Sequence, residues 1–286
     1  MNLREMEGLT LSYLGDPNKD DVTRGDVYRA LDIAQNVVAR NLLTVDREMF
    51  RKDATITWGA NPTESLPADF LDPLRVEYEG LGCRRMATAE IDALTENPAY
   101  RALKGYQQFY TMLIGTAGRS QVKIYPQPAN GETVVVSYVA RPTRIHESGS
   151  QESTITTSTS ASSITDSNIA QGANAGFWDG ATVRITAGAT KNEIVRVTAH
   201  TATGVFALFP ALSASPGTVG YEIDQTSIIP DVFHDLMPLY AAGILAPKLK
   251  MDGRVFIEQY RNEIQLLNSR WVQNVNQPVP GELDHA

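Results

Sequence analysis

Phe177-Trp178-Asp179-Gly180-Ala181-Thr182-Val183-Arg184-Ile185, Asn192-Glu193-Ile194-Val195-Arg196-Val197, Gly204-Val205-Phe206-Ala207-Leu208-Phe209 and Gly220-Tyr221-Glu222-Ile223 are four short apolar runs separated by glycine, asparagine and proline. Runs of this length, rich in β-branched and aromatic residues and bounded by turn formers, read as strands. Four in close succession indicate a small barrel or sandwich, with Val183, Ile185, Ile194, Val195, Val197, Val205 and Leu208 as its expected core. Just ahead of them, residues 148–167 are dominated by Ser and Thr, which reads as a linker carrying one or two edge strands.

On both sides of this module the apolar period changes to that of a helix. Upstream, Leu3, Met6, Leu9 and Tyr13 allow a short helix that ends at Gly15-Asp16-Pro17. Thr23 with Asp26 forms a capping box ahead of Val27, Leu31, Ala34, Val38, Leu42 and Val45. Downstream, Pro230 opens a helix through Val232, Phe233, Leu236, Leu239, Tyr240 and Ile244 that Pro247 ends. A last helix starts near Asp252 and carries Phe256, Tyr260, Ile264, Leu267 and Trp271 at steps of three and four, a stripe that must pack on a partner, the N-terminal helix being the obvious one. The helical pattern returns after the β-module, so the module is an insertion in one scaffold. The expected fold is α+β: a helical-bundle core with a β-hairpin (1–146 plus 226–273), a linker and inserted all-β domain (147–225), and an extended C-terminal tail (274–286).

Within the first part, residues 54–58 read as a strand that residues 62–67 break. Leu66-Pro67-Ala68-Asp69-Phe70-Leu71 reads as a proline-bounded turn of helix running into a strand through Tyr78. Ile91 and Leu94 place a short helix closed by Asn97-Pro98, and residues 106–114 read as a strand. The hairpin is expected between residues 121–126 and 133–139, with Asn130-Gly131 supplying the positive φ of its turn.

Composition bounds the function. The chain of 286 residues is 42% hydrophobic and 20% charged, with a net charge of -8, an ordinary globular balance. No segment is basic: residues 1–146 hold 17 basic and 19 acidic side chains, 147–225 hold 3 and 7, and the rest 5 and 7. A protein that grips phosphates needs a Lys/Arg patch, so tight DNA binding is not expected, whereas a wall that DNA slides past favours acid. One cysteine, Cys83, excludes an internal disulfide and a multi-cysteine metal site. The N-terminus lacks the apolar run of a signal peptide and nowhere do eighteen apolar residues run together, so the chain is expected in the cytosol and outside the membrane.

Catalytic patterns are missing. His146, His200, His234 and His285 are far apart and form no HExxH-like pair. Gly80-Leu81-Gly82 lacks the third glycine of a dinucleotide loop, and there is no phosphate-cradling GxxxxGK[ST] or nucleophilic GxSxG. Asp16, Asn18 and Asp20 imitate the start of a calcium loop, but Asp21 and Val27 stand where it needs Gly and Glu. Arg84-Arg85 reads as a solvated pair or a contact for a neighbour's carboxylate or a phosphate. The expectation is no enzyme, no cofactor and no metal.

The helical flanks resemble the head-to-tail adaptor (connector) proteins of tailed bacteriophages. The likeness rests on the order of a capped helix at residues 23–43, the Leu66-Pro67-Ala68-Asp69-Phe70 turn, the Val76-Glu77-Tyr78 strand, the hairpin strands at 122–126 and 134–138, and closing helices opened by Ile229-Pro230. The insert is similar to small β-domains of larger phage neck proteins. The resemblance implies a homo-oligomeric ring, typically a dodecamer, that is assembled in the host cytoplasm. It would bind the portal protein, receive tail proteins and let DNA pass without specific binding. By position, the tail residues Val275, Pro278, Val279, Pro280 and Leu283 would dock on the portal, while Phe256, Tyr260, Ile264, Leu267 and Trp271 form the core and subunit-packing helix. The alternative is a peripheral tail or capsid accessory protein whose β-domain binds a host glycan, through Trp178 and Tyr221, or a neighbouring virion protein.

Overall fold

A computed structural model describes residues 1–16, 21–96, 107–115, 118–145, 149–169 and 175–275. Among them are five α-helices and three β-sheets, giving a mixed α+β protein. The chain divides into two compact units, Met1–Val45 with Thr143–Ala286, and Asp46–Pro142.

The first unit holds helices α1 (Leu3–Leu14), α2 (Arg24–Leu43), α4 (Leu236–Leu245) and α5 (Arg254–Val275). Sequence sets their ends. Asn2 and Glu5 form a reciprocal capping box at the start of α1, and Gly15 closes it with φ 67°, a left-handed conformation that glycine adopts without penalty. Thr23 and Asp26 cap α2 as the spacing predicts, and the Val27, Leu31, Ala34, Val38, Leu42 stripe is fully buried. Helix α4 has no charged residue and is buried on almost every side, because it lies at the centre of the bundle against α1, α2 and α5. The partner of the α5 stripe is thus chiefly α4. The N-terminal helix adds the Tyr13–Phe256 ring contact, with centroids 6.3 Å apart.

The inserted module, in the same unit, is a seven-stranded antiparallel sheet. Its strands are β9 (Ser150–Thr154), β10 (Thr157–Ser160), β11 (Ser163–Thr165), β12 (Thr182–Ile185), β13 (Ile194–His200), β14 (Val205–Phe209) and β15 (Gly220–Asp224), in the order β10-β11-β14-β13-β12-β15-β9. Only Ile155 and Thr156 separate β9 from β10, and their N–H groups continue the pairing, Ile155 to the Val219 carbonyl and Thr156 to that of Thr165. The two nominal edges are halves of one bent strand. The sheet therefore closes into a barrel without a free edge. Ser/Thr-rich residues expected as a linker are staves of this barrel, and Ile155 and Ile164, the apolar exceptions in that stretch, point into its core. Val183, Ile185, Val195, Val197 and Leu208 are buried there as expected. Ile194 is instead 61% exposed and Phe206 replaces Val205, because the alternation of β13 and β14 points only every second residue inward.

The second unit has two four-stranded sheets. One has the order β1-β8-β3-β4, with β1 (Arg51–Thr57), β3 (Phe70–Tyr78), β4 (Leu81–Gly82) and β8 (Thr133–Ala140). The other has the order β2-β7-β6-β5, with β2 (Glu64–Ser65), β5 (Arg84–Arg85), β6 (Phe109–Ile114) and β7 (Ser120–Tyr125). Helix α3 (Thr88–Glu96) packs Ile91 and Leu94 against Phe109. Its expected stop at Asn97-Pro98, and Tyr106, lie outside the described residues. The expected hairpin is corrected: β7 pairs with β6 and β2, while β8 lies between β1 and β3. Gly131 does take a positive φ of 92°, but its N–H donates to Trp58 and starts β8 alongside β1. The continuous apolar run of β8 fits a strand flanked on both edges. The helical turn expected at residues 66–71 is absent too, since Phe70 already begins β3.

Candidate assembly surface

Helix α5 reaches its position through a close backbone contact. A methyl group placed on Gly253 would lie 2.3 Å from the Gly243 carbonyl oxygen, and one on Gly243 would lie 2.6 Å from Ile257 Cδ1. Two glycines thus let the start of α5 touch the end of α4. One turn on, Tyr240 and Tyr260 meet edge to face with centroids 4.9 Å apart, and Asn41 of α2 donates to the Tyr260 hydroxyl at 2.7 Å. Burial raises the Tyr260 pKa, keeping this phenol neutral.

Of the expected stripe, Tyr260 and Ile264 are buried, and Phe256 and Leu267 are half-buried. Trp271 lies in the last two turns of α5. The Gly243–Ile257 and Tyr240–Tyr260 contacts fix an antiparallel register in which Leu236, the first residue of α4, is level with Ile264. The following eleven residues of α5, roughly 16 Å of helix, run past the start of α4. Val275 ends the helix, so the expected extended tail does not begin at Asn274. Pro278, Val279, Pro280 and Leu283 lie outside the described residues. Between α2 and α5 runs a groove of about 420 Å³ lined by Val37, Asn41, Tyr260, Ile264, Gln265 and Asn268, among others. Outward from it, α5 exposes Val255 and Leu266.

The other sites raised by the sequence do not assemble. Asp16 Oδ2 accepts the N–H groups of Asp21 and Val22 at 3.2 and 3.0 Å, which closes a loop, and Asn18 and Asp20 are outside the described residues. Trp178 and Tyr221, the stacking groups of the alternative glycan-binding reading, are buried in the barrel, and the Tyr221 hydroxyl donates to buried Asp166 at 2.9 Å. Burial pushes the Cys83 thiol up to about 11, far from a reactive thiolate. His234 is buried, its Nε2 2.6 Å from the Ile229 carbonyl, and burial lowers its pKa. His200 is buried in the barrel and stacks on Phe206, and His146 and His285 lie outside the described residues. Arg84 and Arg85 are exposed on β5. Among the described residues no group of three His, Cys, Asp or Glu side chains could hold a metal ion, and no helix is long and apolar enough to cross a membrane.

The family model of the SU10 adaptor protein matches residues 1–175. The chain belongs to the SU10 adaptor family. The match takes in α1, α2, the whole of the second unit and the first strands of the barrel. It stops before β12, so α4 and α5 are outside it. Membership in this phage head-tail adaptor family makes the chain a structural protein of the virion and implies portal and tail proteins as its partners. No curated protein matches the chain. Sequence reasoning left barrel and sandwich both open, and it missed three features of this SU10 adaptor: closure of the barrel through the Ser/Thr stretch, the central place of α4 and the glycine contact. Closure was signalled only by the apolar isoleucines at 155 and 164, and the contact by glycines on either side of Pro247.

Proposed function

We propose that this adaptor closes a homo-oligomeric ring, a dodecamer by resemblance, between portal and tail, and that DNA passes through its channel without specific binding. Family membership is the observation that carries the reading. Subunit contacts in a ring are heterologous: one surface of each copy meets a different surface of the next and the rotation closes. The last turns of α5, with Leu267 and Trp271, supply such a surface, since the stripe continues past the helix that buries its first half. Val275, Pro278, Val279, Pro280 and Leu283 dock on the portal. The net charge of -8 suits a channel that DNA must leave quickly. In functional terms the chain keeps three parts: adaptor core, inserted β-domain and docking tail. Assembly takes place in the host cytoplasm, and no catalysis is involved.

The test is truncation after Val272, read by co-sedimentation with portal rings. Loss of portal binding by a folded truncated chain supports the reading, and retained binding removes the tail from it. A second reading, that the barrel touches a neighbouring virion protein, is favoured by Ile194 and Phe209, 61% and 70% exposed on its outer face. Cross-linking from these positions within assembled particles tests it, with contacts only to solvent counting against it.

A further inference from the structure

The helices and the barrel are joined through residues 143–145 and 149–150 on the way in and 224–227 on the way out, and both sets are tied to α1 and α2. On the incoming crossing, Gln35 Nε2 donates to the Thr143 carbonyl at 2.8 Å and the Ile145 N–H donates to Asp32 at 2.8 Å. Ser150 Oγ accepts from Nη2 of both Arg4 and Arg24, at 3.4 and 3.5 Å. On the outgoing crossing, the Leu3 N–H donates to the Gln225 carbonyl at 3.1 Å and the Ser227 hydroxyl donates to Gln35 Oε1 at 2.6 Å. One side chain, Gln35, thus holds both crossings with its two ends.

Arg4 joins the barrel strands themselves. Its Nη1 lies 2.9 Å from Glu222 of β15 and 3.3 Å from Glu152 of β9, and its Nε is 3.8 Å from Asp224. Behind it, Arg24 pairs with buried Glu7 at 3.1 Å, and Glu7 accepts from the Tyr28 hydroxyl at 3.0 Å. The Asp224 side chain is 6% exposed, Glu222 19% and Arg4 31%. Salt screens such a partly buried set less than a surface pair, and the planar guanidinium fixes direction as well as distance.

We infer that the inserted barrel is a fixed arm: Arg4, Arg24 and Gln35 form a latch that sets its direction against α1 and α2. A Ser/Thr-rich tether would let the barrel swing. Here the described Ser/Thr residues are built into the barrel wall, and described residues of both crossings are hydrogen-bonded to α1 or α2. The consequence is that every copy presents the barrel in the same orientation, whatever the copies assemble into, so the inference stands apart from the ring reading. Arg4 and Gln35 act as positioning residues.

Spin labels on exposed positions of α2 (Asn36→Cys) and β13 (Thr198→Cys), in the full chain carrying Cys83→Ser, measure the arm directly through their distance distribution. The expected result is one narrow distribution, which Arg4→Ala with Gln35→Ala broadens at least twofold while hydrogen exchange inside the barrel stays protected. A broad distribution without the latch substitutions overturns the inference, and so does a variant that remains as narrow. Should the double variant fail to fold, Arg4→Gln, which keeps a donor but loses the charge, is expected to give an intermediate width. An unchanged width there also overturns the inference.

Discussion

Substituting the two contact glycines one at a time separates a backbone contact from a side-chain contact. In Gly253→Ala the new methyl meets the Gly243 carbonyl oxygen at 2.3 Å and the Ala246 Cβ at 3.5 Å. The carbonyl belongs to α4, which is buried on almost every side and cannot yield, so α5 must move outward by about 1 Å or more and loosen the Tyr240–Tyr260 contact. Overpacking of this kind costs about 1–3 kcal/mol. With about 2–4 °C per kcal/mol for a unit of this size, a fall of roughly 4–8 °C in melting temperature is expected for a cost near 2 kcal/mol. In Gly243→Ala the nearest atoms are Cδ1 and Cγ1 of Ile257, at 2.6 and 2.8 Å, the movable end of a side chain. A rotamer adjustment costs about 0.5–1.5 kcal/mol, against about 1 kcal/mol gained by replacing glycine inside a helix. The two nearly cancel. Thermal unfolding, with hydrogen exchange of the α4 amides as a local readout, distinguishes them. Equal stability of Gly253→Ala and the unsubstituted chain, or greater damage from Gly243→Ala, would refute the proposed contact.

Trp178 is fully buried in the barrel and its Nε1 has no acceptor among the described residues. Trp178→Ala should therefore cost about 3–5 kcal/mol in urea unfolding, and Trp178→Phe, which sheds an unpaired N–H, clearly less. Asp26 is held down to about 2, first by the hydrogen bond from Lys248 and then by that from Thr23. A depressed carboxylate stabilises the fold above its unfolded value of 3.8 and loses that contribution as pH falls from about 4 to about 2. Carboxyl NMR should show Asp26 titrating near 2 and moving up toward 3.8 in Lys248→Met, and because the Lys248 side chain is half in solvent the stability change should stay below about 1 kcal/mol. Asp224 is shifted the other way, upward, by burial that outweighs Ser150 and Arg4. A carboxyl with a raised folded pKa opposes folding increasingly as pH rises above its unfolded value of 3.8, and fully once pH has passed the folded value, so Asp224→Asn should raise the melting temperature at pH 7 and leave it nearly unchanged near pH 3. A fall at pH 7 would show that the Arg4 pair repays the burial.

Local rules were legible where one residue decides the outcome. The Thr23/Asp26 box, the stripe of α2 and the inward residues of β12 could be read directly, because capping and periodicity act within one or two turns. The order of the flanking elements was enough to find the adaptor family. Pairing was less legible. Asn130-Gly131 carries the signal of a tight hairpin, yet β8 has an apolar surface that two strands must cover, and β1 and β3 outcompete β7 for its edges. The Ser/Thr stretch misled for a related reason: each strand of a closed barrel turns every second residue outward, so Ile155 and Ile164 suffice inside while polar neighbours face water. Position along the chain also hid the role of α4. Ten residues without a charge read as an ordinary apolar helix, and only the packing shows that three helices enclose it. The alternative glycan-binding reading loses its two stacking groups, Trp178 and Tyr221, to the barrel core, and an aromatic side chain next to a turn looks the same in sequence whether it faces in or out.

The central claim, that the chain assembles as a ring on the portal, is tested most directly by native mass spectrometry with negative-stain imaging of the full chain, alone and mixed with portal rings of the same phage. A closed ring seated on the portal, with a mass that is an integral multiple of the 31.3 kDa chain and a count near twelve, is the expected result. A chain that remains monomeric in the presence of the portal would contradict it.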